Sequence, residues 1–304
     1  MKLSQAIDGY LIDAHARRLS ENTLADYTRT FRRFVEFMAD AEMENVVADD
    51  VRRFLAQFNE LSAKTVLNMY IALSALWTWA IDEKKVAAHI IREVKPPRPD
   101  VRVILPFTTN DIRAIVRAST RSTFQRDGQL VTTRLHHAAR NKAISLFLLD
   151  TGVRATELCQ LKIKDVDLKI ARVHVFGKGR KERYIDFSPQ TAKIVWRYLS
   201  TQRKDAAPDE PLFTTDEGAA LDRFSLAHLV SSIGKRAGVE KCRPHRFRHT
   251  FAVMSLINGA DPFTLKSALG HESLEMVRRY IHIADVDRAK IQKRASPVAN
   301  LLSH

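Results

Sequence analysis

Apolar positions in the first third of the chain recur at three- and four-residue intervals. Leu3, Ala6, Ile7, Tyr10, Leu11 and Ala14 fall on one face of a helix. Ser20 is placed to cap a second helix that turns Leu24, Tyr27, Phe31, Phe34, Val35 and Met38 inward. Asp49 or Asp50 begins a third, with Val51, Phe54 and Leu55, and Ser62 begins a fourth, with Leu67, Tyr70, Ile71, Leu73, Ser74, Trp77 and Ile81 as its apolar face. The pattern predicts a four-helix bundle over residues 1–92. Pro96, Pro97, Pro99 and Pro106 then exclude a helix and make residues 93–106 an extended, semi-rigid linker.

The period changes twice in residues 107–304. Thr109-Asn110-Asp111 forms a capping cluster ahead of Ile112, Ile115 and Val116. A polar stretch from Ser119 to His137, with Arg121, Arg126, Arg134, His136 and His137, reads equally as a basic loop or as an unstructured insertion. An apolar helix from Ala138 to Asp150 is broken by Gly152. Between Lys162 and Phe187, ARVHVF and ERYIDF alternate around Gly177-Lys178-Gly179-Arg180, which is a hairpin signal. Helices resume at Ser188-Pro189 and around Phe224, Leu226 and Leu229. Pro244 opens another that Asn258-Gly259 ends; Asp261-Pro262 opens the next, and Gly270 closes it. The fold class is therefore mainly α with a small β-sheet: an N-terminal helical bundle, then a mixed α/β domain.

Charge narrows the partner. The 304 residues carry 49 Lys+Arg against 35 Asp+Glu, a net charge of +14. Residues 1–100 are balanced at 14 against 15, so the excess lies downstream. A basic surface of that size attracts polyanions, DNA foremost. MKLSQAIDGY lacks the apolar run of a secretory leader, and no stretch approaches the roughly 20 apolar residues of a membrane span. A cytoplasmic protein without a membrane partner is expected. Cys159 and Cys242 give neither a disulfide framework nor zinc spacing.

The chemistry gathers between Arg243 and Tyr280. His245 and Arg248 stand one helical turn apart and can grip a single anion. His271 follows Gly270 at a turn, and Tyr280 comes nine residues later. Gly177-Lys178-Gly179 has no P-loop pattern, and Arg-Phe-Arg between His245 and His249 is not a zinc-protease motif, so neither metal nor cofactor is expected.

The order HxxR, LGH and tyrosine, preceded by Thr151-Gly152-Val153-Arg154-Ala155-Thr156-Glu157-Leu158, resembles the tyrosine recombinase (phage integrase) family, in its two-domain Xer-like form. Leu19-Ser20-Glu21-Asn22-Thr23-Leu24 with Tyr27 resembles the opening of that family's core-binding domain. The resemblance implies a catalytic set of Arg154, Lys178, His245, Arg248, His271 and Tyr280, with Lys181 the substitute for Lys178. Tyr280 would attack a DNA phosphodiester and keep a 3′-phosphotyrosyl link, Arg154 and Arg248 would clamp the phosphate, Lys178 would protonate the leaving 5′ oxygen, and Glu157 would orient the cations. Arg29, Arg32, Arg33, Arg52, Arg53, Lys64, Arg180, Lys181, Arg243 and Arg246 are candidates for DNA contact. The resemblance further implies a homo-tetramer on two DNA duplexes, its C-terminal tail docking on a neighbouring subunit, and strand exchange without metal or ATP. Alternatives with the same fold are a type IB topoisomerase-like or telomere-resolving enzyme, or a non-catalytic DNA-binding regulator.

Overall fold

The computed structural model describes residues 1–99, 104–127, 129–177, 182–270 and 280–281. The chain divides into two compact units, Met1–Val103 and Ile104–His304.

In the first unit four α-helices, α1 (Leu3–Ala16), α2 (Glu21–Met38), α3 (Ala48–Ala56) and α4 (Ala63–Asp82), surround one core. Ser20 and Ser62 cap α2 and α4 by accepting the N–H of Thr23 and Thr65, each at 3.2 Å. The cap of α3 differs from expectation. Val47 is its N-cap, and Asp50, three residues in, accepts the Val47 N–H at 3.0 Å. An acidic residue at the third helical position does this work as well as one at the cap. The core is aromatic: Phe34 meets Phe54 and Trp77 edge-on at 5.0 and 6.0 Å, and Tyr10 meets Phe31 at 5.6 Å. The buried face of α4 is Val66, Met69, Ala72, Leu73, Leu76, Trp77 and Ala80, and Ile71 is exposed. This helix is apolar almost all round, so periodicity alone selects a face shifted from the buried one.

The second unit begins with α5 (Thr109–Ala118), capped by Thr108 and Asp111 in a reciprocal box. The polar stretch that follows is neither an irregular loop nor an unstructured insertion. It is an antiparallel hairpin, β1 (Arg121–Arg126) and β2 (Gln129–Arg134), in the register Arg121↔Arg134 to Arg126↔Gln129. Asp127 at φ +50° leads its turn, and Asp127-Gly128 is the dipeptide such two-residue turns favour. Beyond it, α6 (Ala138–Thr151) is buried on nearly every side and ends at Gly152. A three-stranded sheet in the order β3 (Val166–Asp167), β4 (Arg172–Phe176), β5 (Glu182–Asp186) follows α7 (Ala155–Gln160). Then come α8 (Pro189–Gln202), α9 (Arg223–Ala237), α10 (Pro244–Ile257) and α11 (Pro262–Leu269). One core lies between α5, α6, the sheet, α8 and α9. A smaller apolar cluster joins α10, α11 and Tyr280.

Candidate active site

Three turns of backbone build the site. The first is Gly152, the C-cap of α6, at φ +59° in the left-handed region. A Cβ there would stand 2.3 Å from the Phe251 ring on α10, so glycine satisfies both the turn and the close approach. This turn sets Arg154 at the N-cap of α7, where its N–H reaches Glu157 Oε2 at 2.7 Å. The second is the first turn of α10, opened by Pro244, which carries His245 and Arg248. The third is Gly270, the left-handed C-cap of α11, which Asp261 starts by accepting the Thr264 N–H at 2.8 Å.

The guanidinium of Arg248 is buried and donates Nη1 to the Gly152 carbonyl at 2.8 Å and Nη2 to the Leu269 carbonyl at 2.6 Å. It thus ties the ends of α6 and α11 together, and both acceptors lie at helix C-termini, where partial negative charge collects. Arg154 is more open. Its Nη1 meets Glu157 Oε1 at 2.9 Å, its Nη2 meets the Gly270 carbonyl at 3.2 Å, and its side chain keeps 41% of its exposure.

Glu157 is the anionic hub. It is 4% exposed and accepts four hydrogen bonds: two from Arg154, and two from Arg183 on β5 at 3.0 and 2.8 Å. That fills the roughly four lone-pair sites of a carboxylate. Burial pushes its pKa up, but the bonds from Arg183 and Arg154 outweigh burial and hold it at about 2. Burial lowers Arg248 to about 10, repulsion from Arg154 adds to this, and Glu157 and Tyr280 oppose it. These groups therefore feel one another directly.

Arg183 was not among the expected residues. Its Nε also donates to the Ala268 carbonyl at 2.8 Å, so it links β5, Glu157 and the end of α11. No local spacing announces it, because its partner is 26 residues upstream. The one hint is an arginine in a strand that otherwise alternates into the core.

His245 reaches solvent on the first turn of α10. The protein packed around it, and then the charge of Arg248, lower its pKa. Tyr280 is 5% exposed and packs with Val253, Leu256, Leu265 and Leu269. Lys178, Arg180, Lys181, His271 and the tail beyond Ile281 lie outside the described residues. Among the described residues no group of three or more metal-ligating side chains converges, and no helix is long and apolar enough to cross a membrane. Cys159 and Cys242 are free thiols, both raised to about 11 by burial.

The candidates for DNA contact separate by their partners. Arg246 is committed within the chain: it donates to the carbonyls of Leu105, Glu240 and Pro106 and lies 4.3 Å over the Phe107 ring. Arg29 and Arg53 form exposed pairs with Asp26 and Asp50 at 3.1 and 2.6 Å, and Arg52 donates to the Glu93 carbonyl at 3.1 Å. Exposed pairs of this kind are weak and exchange readily for a phosphate. Arg33 lies over the Phe58 ring, while Arg32, Lys64 and Arg243 point to solvent.

Residues 110–286 match the profile of the phage integrase family, and residues 7–84 match that of the phage integrase N-terminal SAM-like domain. The chain belongs to the phage integrase family. It is a site-specific tyrosine recombinase, and DNA is its partner. Among its relatives, the tyrosine recombinase XerC of Staphylococcus epidermidis (strain RP62A) is 30% identical over 292 residues, covering 93% of this chain and 94% of the relative. The tyrosine recombinase XerD of Corynebacterium glutamicum is 27% identical over 296 residues, with the same two coverages. Among solved structures, XerH recombinase bound to palindromic difH substrate in a post-cleavage complex matches with a TM-score of 0.72, at 23% identity over 93% of this chain and 82% of that one. The Tn1549 transposon integrase in complex with transposon right end DNA matches at 0.76, with 18% identity over 97% and 100%. These two likenesses concern the fold. In this recombinase the arginine, glutamate and tyrosine described above occupy the C-terminal, integrase-matching region.

Proposed function

We propose that this recombinase cuts DNA with Tyr280 as nucleophile and Arg154, Lys178, His245, Arg248 and His271 as its catalytic set. The observation that carries the assignment is the gathering of Arg154, Arg248 and Tyr280 at the end of α11: Arg154 donates to the Gly270 carbonyl, Arg248 donates to the Leu269 carbonyl, and Tyr280 shares an apolar cluster with Leu269. Tyr280 Oη attacks phosphorus in line, and the bond to the 5′ oxygen breaks. The phenol's proton leaves to a histidine, and the 5′ oxygen takes one from Lys178. An unaided phenol, with a pKa near ~10, is a weak nucleophile at neutral pH, so the neighbouring guanidinium charge favours the phenolate as it forms. Arg154, the more exposed of the two arginines, offers its fork to the non-bridging oxygens, while Arg248 supplies fixed buried charge. The phosphotyrosyl link retains the energy of the phosphodiester, so a 5′ hydroxyl from another strand reseals it without ATP.

The division of labour we infer is a DNA-gripping domain over 1–92, a linker over 93–106 and a catalytic domain over 107–304. We further infer a cytoplasmic homo-tetramer on two duplexes, with the C-terminal tail of each subunit docked on a neighbour. Relatives named XerC and XerD, matched over nearly their whole length, support this two-domain form.

The test uses a supercoiled plasmid carrying the DNA that flanks this gene, in excess EDTA and without ATP, comparing wild type with Tyr280→Phe on denaturing gels. Protein-linked DNA and changed topology are expected from wild type alone, with DNA affinity of the variant within a few-fold. Adducts persisting in Tyr280→Phe would overturn the assignment of the nucleophile.

A further inference from the structure

A buried imidazole beside the nucleophile has no place in the catalytic set. His249 follows Arg248 on α10, is 5% exposed, and its ring centroid lies 5.1 Å from that of Tyr280 with the planes inclined at 59°. Among the described residues its buried Nε2 has no hydrogen-bond partner. An unsatisfied buried nitrogen costs about 1–3 kcal/mol, and a folded protein keeps very few. Phenylalanine or leucine would fill the same space without that cost. The nitrogen calls for a function.

The mounting of this ring is rigid. The segment leading into the second unit runs along α10 and is fixed to it at successive positions. Arg246 holds the carbonyls of Leu105 and Pro106, the Phe107 N–H donates to Thr250 Oγ1 at 2.9 Å, and the Phe107 and Phe247 rings meet at 5.0 Å. His249 stands within this series, beside the backbone of Ile104. Burial holds the ring below its ordinary pKa, and the neighbouring His245 adds to that, so it is neutral at physiological pH and one ring nitrogen carries a free lone pair. On its other side the Tyr280 ring rests against Val253, Leu256, Leu265 and Leu269, which hold it in place.

We propose that His249 is a positioning residue for the nucleophile: it seats the Tyr280 ring against α10 and offers an acceptor nitrogen that orients the phenol for in-line attack. The inference rests on Tyr280 being the nucleophile. It adds to the expected set a residue that touches the attacking group and does not touch the phosphate. A neutral imidazole here suits the task, because it favours an oriented O–H without adding a cation that would compete for the phosphate.

The experiment compares wild type, His249→Phe, His249→Gln and Tyr280→Phe. The probe is a nicked duplex built on the cleavage position mapped from the plasmid assay. Single-turnover formation of the covalent adduct, DNA affinity and Tm are measured for each. His249→Phe keeps an aromatic ring and removes the acceptor. Its adduct rate is expected to fall about 10²-fold, the scale of a misplaced nucleophile, with DNA affinity and Tm close to wild type. His249→Gln restores an acceptor and is expected to recover most of the rate. A His249→Phe rate equal to wild type overturns the role, as does an equal loss in both variants, which would make His249 a packing residue only. Should His249→Phe fail to fold, His249→Met, also without a comparable acceptor, takes its place against His249→Gln. Adduct from Tyr280→Phe would instead remove the nucleophile on which the inference stands, a result distinct from any His249 outcome.

Discussion

The two units manage charge in opposite ways. In Met1–Val103 the interior is aromatic and aliphatic, and arginines such as Arg29 and Arg53 stay in water beside local carboxylates. Around α7, α10 and α11 of the second unit, charge is inside. Glu157 and Arg248 are each about 4% exposed, and Arg183 is nearly covered. Desolvating ions is costly, so a fold that does this must satisfy them completely or have another reason for holding them. Glu157 is saturated by Arg154 and Arg183. Among the described residues Arg248 is hydrogen-bonded only to main-chain carbonyls, so its positive charge is not cancelled by a direct carboxylate partner there. The first unit is held by packing, and the second also stores electrostatic potential in its interior.

Substitutions can break or sharpen this contrast. The largest effect is expected from Phe34→Ala, which opens a cavity between Phe54 and Trp77 and should cost about 3–5 kcal/mol, read as an early-melting first unit in calorimetry. Next is the acid stability of the second unit. Glu157 titrates at about 2 when folded and near its ordinary 4.5 when unfolded. A lowered folded pKa adds stability above the unfolded value and loses it as pH falls from about 4.5 towards 2. The full amount is about 3 kcal/mol. Glu157→Gln should flatten this part of a pH–stability curve, and an unchanged curve would mean that the carboxylate is not the hub. Arg248→Lys keeps a charge but cannot bridge Gly152 and Leu269 with a planar fork; it should lower the cleavage rate about 10²-fold, measured as adduct formation on nicked DNA. Arg29→Ala should change stability by less than about 0.5 kcal/mol in denaturant titration. A large effect there would erase the distinction between the units.

How much of this was legible depended on the range of the interactions. Caps at Ser20, Ser62 and Asp261 and the break at Gly152 are local, and the residues that form them stand within a few positions of what they bind. Arg154, Glu157 and Arg248, whose bonds meet at the ends of α6 and α11, stand in linked motifs that a reading of the sequence singles out. Arg183 does not, since its role exists only once β5 lies against α7 and α11. In the sequence His249 is only half of an absent metal motif; its proximity to Tyr280 is tertiary. The exposed Ile71 shows a different limit, for a helix apolar on all sides carries no directional signal. The β1–β2 hairpin was recoverable: Asp127-Gly128 is a turn signal, masked by flanking strands too polar to alternate.

The carbonyl acceptors of the buried arginine have a consequence for inheritance. A side-chain partner disappears with a single codon change, but the oxygens of Gly152 and Leu269 are present whatever residue occupies those positions. Direct mutational loss of the Arg248 partners is thus nearly closed off. The exposure moves to the residues that dictate the path of the main chain, above all Gly152, where any Cβ meets Phe251 at 2.3 Å and the backbone is already left-handed. Lineages that drift freely in the helices should be held at that glycine even though it has no side chain to offer DNA.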